Sequence, residues 1–197
     1  MSGLQKILII DGHPDPDPDH FCHAIAKHYC HGANQAGHSV DLVRISDLDF
    51  PVLRRPRDYD HAPVPTTLQP VTDKLLAADH LVLVYPLWLG TLPAYTKAFL
   101  EQVFHRHVAF EQADDDSWPK GRLTGKSARV FVTMGMPGFV YRLWYGAHSL
   151  KSLERNILKF IGFKPVKDTV FGMVEAVSEE KRKSWLTKVE DLGRKAL

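Results

Sequence analysis

The stretch HLVLVYPLWLGTLPAYTKAFLEQVF, residues 80–104, constrains the chain more than any other. Its run from Leu81 to Tyr85 is unbroken, apolar and rich in branched side chains, the pattern of a strand covered on both faces and therefore central in a parallel sheet. Pro86 has no amide proton for a ladder, so the strand is predicted to stop there. Pro93 suits the first turn of a helix that should run to about Phe104. Between the prolines lies an apolar loop, Leu87-Trp88-Leu89-Gly90-Thr91-Leu92, at the carboxyl end of a buried strand, where open α/β sheets place their ligands. These residues either close the core beneath the loop or face a flat apolar ligand; position and composition together favour the ligand.

The rest of the chain alternates in the same way. Lys6 to Ile10 reads as a strand ending in Asp11-Gly12-His13-Pro14, and from about Asp19 the pattern turns helical, with Phe21, Ile25 and Tyr29 four residues apart. Gly32 and Gly37 surround the predicted end of that helix, and Ser39 to Val43 is a further strand. Residues 44–70 form a proline-rich, ordered excursion, followed by a helix over residues 69–78. Residues 108–123 are polar, hold Asp114-Asp115-Asp116 and read as a surface excursion. Lys126 to Met134 is the next strand, delivering Thr133-Met134-Gly135 into a glycine-containing turn. A helix over 149–161 is closed by Gly162, a last strand covers 164–174, and Ser178 with Glu179 and Glu180 caps a terminal helix.

Strands alternating with helices imply an α/β fold whose five parallel strands run in the flavodoxin-like order 2-1-3-4-5, helices on both faces. In that order the loops after strands one, three and four meet at one rim. A single domain is expected over residues 1–197. The formal net charge of +2, with both signs interspersed, leaves no electrostatic footprint for nucleic acid. The apolar run Ile7 to Ile10 is too short for a signal-peptide core or a membrane span, so a cytoplasmic protein is expected. Cys22 and Cys30 fall about 12 Å apart along one helix, beyond disulfide reach, and should be reduced thiols.

The three loops supply what a flavin needs: amides for its phosphate at the helix start around Asp19, His20, Phe21 and Cys22, a flat slot and further amides from Leu87, Trp88 and Leu89, and a second wall from Met134, Gly135 and Tyr141. A calcium loop at Asp15-x-Asp17-x-Asp19 lacks the glycine and glutamate that such a loop requires, and alternating prolines oppose a transition-metal site, so no metal is expected. Cys22 is either a redox thiol at a helix start or a packed, inert one, and the packed reading is favoured. Phe139, Tyr141, Trp144 and Tyr145 read as a site wall or a dimer contact.

These residues carry a resemblance. Ile7-Leu-Ile-Ile-Asp-Gly-His-Pro14, the run Tyr85 to Phe104 with its Pro-Leu-x-x-x-x-x-Pro-Ala motif, Val132-Thr-Met-Gly135 and Ile157 to Val166 resemble the flavodoxin-like NAD(P)H:quinone oxidoreductase family, which includes modulators of drug activity and ancillary oxidoreductases of bacterial potassium efflux systems. The resemblance implies two-electron reduction of a quinone or similar acceptor by NAD(P)H through FMN, with FAD as the alternative. It implies that His13 and residues 19–22 hold phosphate and ribityl groups, and that Pro86 to Leu89 and Thr133 to Gly135 flank the isoalloxazine. Tyr141 and, with a one-residue shift, His148 would stabilise charge during hydride transfer. Phe110 would cover the ring from a partner subunit, implying a homodimer. The other readings are a regulatory subunit of a transporter, in peripheral contact with it, or of another partner, and a flavin-free remnant of the fold. The loop Pro14-Asp15-Pro16-Asp17-Pro18-Asp19 departs from the serine, threonine or asparagine usual there; its carboxylates are expected to turn outward, away from the phosphate.

Overall fold

The computed structural model describes residues 3–111 and 118–197. The acidic run Asp114 to Asp116 lies outside the described residues. Five parallel strands, β1 (Lys6–Asp11), β2 (Ser39–Arg44), β3 (His80–Pro86), β4 (Ser127–Met134) and β5 (Val166–Gly172), form one sheet in the order β2-β1-β3-β4-β5. Every residue of β3 is buried, as its unbroken apolar run requires.

Alternation along the strands divides the core in two. On one face Leu8, Ile10, Leu81, Leu83, Val130 and Val132 pack under α3 (Gln69–Ala77) and α4 (Ala94–Val103). On the other, Ile7, Ile9, Val82, Val84, Phe131 and Phe171 pack under α1 (Phe21–Gln35) and α8 (Glu179–Arg194). Helices α1 and α8 meet through two glycines. A Cβ at Gly32 would stand 2.1 Å from the Glu190 carbonyl oxygen, and one at Gly193 would stand 2.3 Å from that of Tyr29. Helix α1 ends at Gln35, between Gly32 and Gly37 as expected, and contact with α8, not chain reversal, is what requires Gly32.

Other boundaries differ for physical reasons. Strand β3 runs one residue further than expected, through Pro86 opposite Thr133. The nitrogen of Pro86 faces the side where pairing with β1 has already ended at Val84, so no donor is lost, and Leu87 N–H donates to the Thr133 carbonyl at 2.8 Å. The excursion after β2 contains a 3₁₀ turn (Ile45–Asp47) and α2 (Pro56–His61), with proline at the helix start. A short α5 (Arg106–Ala109) follows α4. The expected glycine turn after β4 leads into α6 (Gly138–Leu143), and the helix predicted over 149–161 is α7 (His148–Ser152) continued by a π-helical stretch (Leu153–Lys159). Apolar spacing does not distinguish these bonding patterns. Ser178 caps α8, its Oγ accepting the Lys181 N–H at 3.3 Å.

Candidate functional site

The loops after β1, β3 and β4 gather at the carboxyl rim of the sheet around a cleft of about 790 Å³. From the first loop His13, Asp19, His20, Phe21 and Cys22 line it; from the second, Pro86, Leu87 and Trp88; from the third, Thr133, Met134 and Gly135. A Cβ at Gly135 would meet nothing within 4 Å, so this wall leaves room for a flat occupant.

The first loop is a ladder of side-chain acceptors. The His13 N–H donates to Asp11 Oδ1 at 3.3 Å, the Asp15 N–H to His13 Nδ1 at 3.2 Å, the Asp17 N–H to Asp15 Oδ1 at 3.0 Å and the Asp19 N–H to Asp17 Oδ1 at 3.0 Å. Prolines 14, 16 and 18 have no N–H. Every amide proton from residue 13 to 19 is thus absent or already bonded; Asp15, Asp17 and Asp19 are all exposed, Asp15 and Asp17 outside the cleft and Asp19 on its lining. The Asp17 amide, then the His20 ring, holds the Asp15 carboxyl below its ordinary value, and its Oδ2 stands 3.0 Å from His20 Nε2. Arg44 ties the loop to β2 through the Pro16 carbonyl at 2.9 Å.

Amide donors for an anion therefore come from the helix start. His20, the N-cap of α1, makes no side-chain capping bond, and the first-turn amides of Phe21 and Cys22 have no intrahelical acceptor. Burial first, and then His20 and His23, lower His13 to about 4, so it is neutral near pH 7. Because its Nδ1 accepts from Asp15, its proton sits on Nε2, a fixed donor in the cleft wall. Beneath it the rings of His13 and His20 stack at 3.8 Å, and His23 Nδ1 stands 2.5 Å from Asp11 Oδ2. Cys22 is buried with Sγ 3.2 Å from Thr133 Oγ1, and burial pushes its thiol up to about 12, which makes it an inert packing residue.

The second loop turns on Leu89 and Gly90, at φ 45° and 80°, between reciprocal Trp88 and Thr91 backbone bonds of 2.9 Å. Positive φ at both central residues is the type I′ geometry. Two expectations change here. The amides of Leu87 and Trp88 are used within the fold, by Thr133 and Thr91, and the Leu89 side chain projects wholly into solvent instead of forming the slot. The apolar wall is Leu87 and Trp88, the indole edge-on to His13 at 5.7 Å between ring centres.

Tyr141, His148 and Phe110 are not among the cleft residues. Tyr141, on α6, is buried with its Oη 2.8 Å from Ser149 Oγ. His148 is exposed at the start of α7, its ring folded back over Gly146. Phe110 lines a separate apolar groove of about 640 Å³ with Leu100, Phe104 and Phe160. Alongside α6, Phe139, Leu143, Trp144 and Tyr145 are all exposed. The cleft also contains a residue that no sequence signal singles out: Arg182, on the first turns of α8, donates to the Val174 and Val177 carbonyls at 3.3 and 2.8 Å and adds positive charge to the rim. A lone arginine after a helix cap carries no motif. Among the described residues, no three His, Cys, Asp or Glu side chains are grouped to hold a metal ion.

This geometry accompanies clear relationships. An uncharacterized NAD(P)H oxidoreductase of Haemophilus influenzae is 27% identical over 183 residues, covering 91% of this chain and 89% of that protein. The FMN-dependent NADH:quinone oxidoreductase 2 of Pseudomonas fluorescens is 31% identical over 147 residues, 68% of this chain and 71% of that protein. The solved NAD(P)H:quinone oxidoreductase from Methanothermobacter marburgensis superposes with a TM-score of 0.81 at 19% identity, covering 98% of this chain and 96% of that one. The family model described as flavodoxin-like fold matches residues 5–192, and the chain belongs to that family.

Proposed function

We infer that this protein is a flavin-dependent NAD(P)H oxidoreductase that reduces quinones or similar small acceptors, with FMN as its cofactor. The observation that carries the reading is the cleft itself, where three loops place a neutral histidine donor, unspent helix amides and an apolar wall with open space opposite, on a chain whose relatives are named as FMN-dependent or NAD(P)H oxidoreductases. These residues fit FMN: His13 Nε2–H and the amides of residues 20–22 for the phosphate, Arg182 as its counter-charge, and Leu87 and Trp88 against Thr133 to Gly135 for the ring. FMN supplies a centre that takes two electrons and a proton from NAD(P)H and passes them to the acceptor. The protein binds, orients and excludes water. We assign Tyr141 and His148 to supporting charge at the ring edge.

A homodimer completes this reading. Among the described residues, the exposed aromatics on and beside α6 and the apolar groove holding Phe110 are two unpartnered surfaces, suited to each other across a twofold axis. The free thiols of Cys22 and Cys30 fit action in the reducing cytoplasm. Among the described residues no helix is long and apolar enough to cross a membrane.

The test is the absorption spectrum and extracted cofactor of the isolated protein, followed by NADH and NADPH turnover with a soluble quinone. A yellow protein bleached by reduced nicotinamide and reoxidised by quinone is the expected result. A colourless protein that fails to take up added FMN overturns the reading.

A further inference from the structure

Tyr141 is held at both ends by the start of α7. Its carbonyl accepts the Ala147 N–H at 3.0 Å, and its Oη accepts the Leu150 N–H at 3.2 Å while standing 2.8 Å from Ser149 Oγ. Between these anchors the chain passes through two consecutive left-handed residues, Gly146 at φ 60° and Ala147 at φ 49°. A left-handed alanine is strained and persists where its surroundings fix it. On the other side of the phenol, Arg142 pairs with Asp168 of β5, so α6 is tied to the sheet one residue further along.

A phenol oxygen has two lone pairs and one proton. The Leu150 amide, which can only donate, occupies one lone pair. We infer that Ser149 is the positioning residue for Tyr141: its hydroxyl donates to the second lone pair, leaving the phenolic proton uncommitted and polarised by two donors. This turns a buried tyrosine into an oriented donor of its own proton. It rests on the reading that Tyr141 supports charge on the bound cofactor.

Three variants test it, Ser149→Ala, Ser149→Thr and Tyr141→Phe, each with two measurements. In the flavin-free protein, exchange of the Leu150 amide should quicken by about threefold or more in S149A, because the oxygen that protects it loses its second tether, and should return to the original rate in S149T. With FMN bound, reduction by NADH at saturating concentration should slow by about threefold to tenfold in S149A, with FMN affinity unchanged, and recover in S149T. A slowed Y141F beside an S149A with unaltered exchange and reduction overturns the role of Ser149 and leaves that of Tyr141. An S149A faster than the unaltered protein also overturns it, since the serine would then be holding the phenol out of use. If Y141F reduces at the normal rate, the assignment of Tyr141 fails first and the role of Ser149 with it.

Discussion

The Asp15 amide and His13 Nδ1, 3.2 Å apart, fix which nitrogen of that imidazole carries its proton. The ring presents Nε2–H to the cleft whether or not an anion is there. Replacing His13 with alanine should weaken FMN binding by about tenfold, roughly the 1.4 kcal/mol of one hydrogen bond to a charged group, read by quenching of flavin fluorescence. Because His13 ionises only near 4, its contribution should stay level from about pH 6 to about pH 8. A contribution that rises steeply as pH falls through that range would mean the ring binds as a cation.

Arg182 supplies charge rather than a fixed direction. Arg182→Ala should lower FMN affinity and make the affinity that remains less sensitive to salt, whereas His13→Ala should leave the salt dependence nearly intact. Titration at two ionic strengths separates the two roles.

His80, at the amino end of β3, is buried with Nδ1 2.7 Å from Ser127 Oγ, and burial, then Arg129, Lys167 and His38, lower it to about 4 from 6.5. A neutral histidine in the fold that protonates in the unfolded chain stabilises fully above pH 6.5, and that stability is lost as pH falls towards 4. His80 alone should account for about 2 kcal/mol of lost stability between about pH 7 and about pH 5, measured by urea unfolding. His80→Gln should flatten that part of the curve.

Leu89 occupies the first central position of a type I′ turn, where asparagine or glycine is at ease and a branched side chain is strained. Leu89→Asn should raise stability by about 0.5–1 kcal/mol, seen as a higher Tm. No gain would mean that Leu89 makes a compensating contact, the outcome expected if a second copy covers it.

The strand order was legible because β1 and β3 carry unbroken apolar runs, turn residues follow β1, β3 and β4, and Pro86 and Pro93 bracket the second loop in the sequence itself. Helix α6 was not legible, because it exposes Phe139 and Leu143 and so reverses the apolar-inward pattern by which a surface helix is read. The role of Gly32 is not legible, because its requirement lies in the backbone of α8, far along the chain. The residue types of the cleft were readable from position, but the hydrogen-bond assignments were not. Whether an amide of the second loop is spent on Thr133 or Thr91 depends on register, and Arg182 enters only when α8 folds back.

The self-bonded stretch from residue 13 to 19 has a kinetic corollary. A wall whose shape is already set when a nucleotide arrives works as a mould: capture requires no chain ordering, and association should follow diffusion and electrostatic attraction rather than a slow tightening of the backbone.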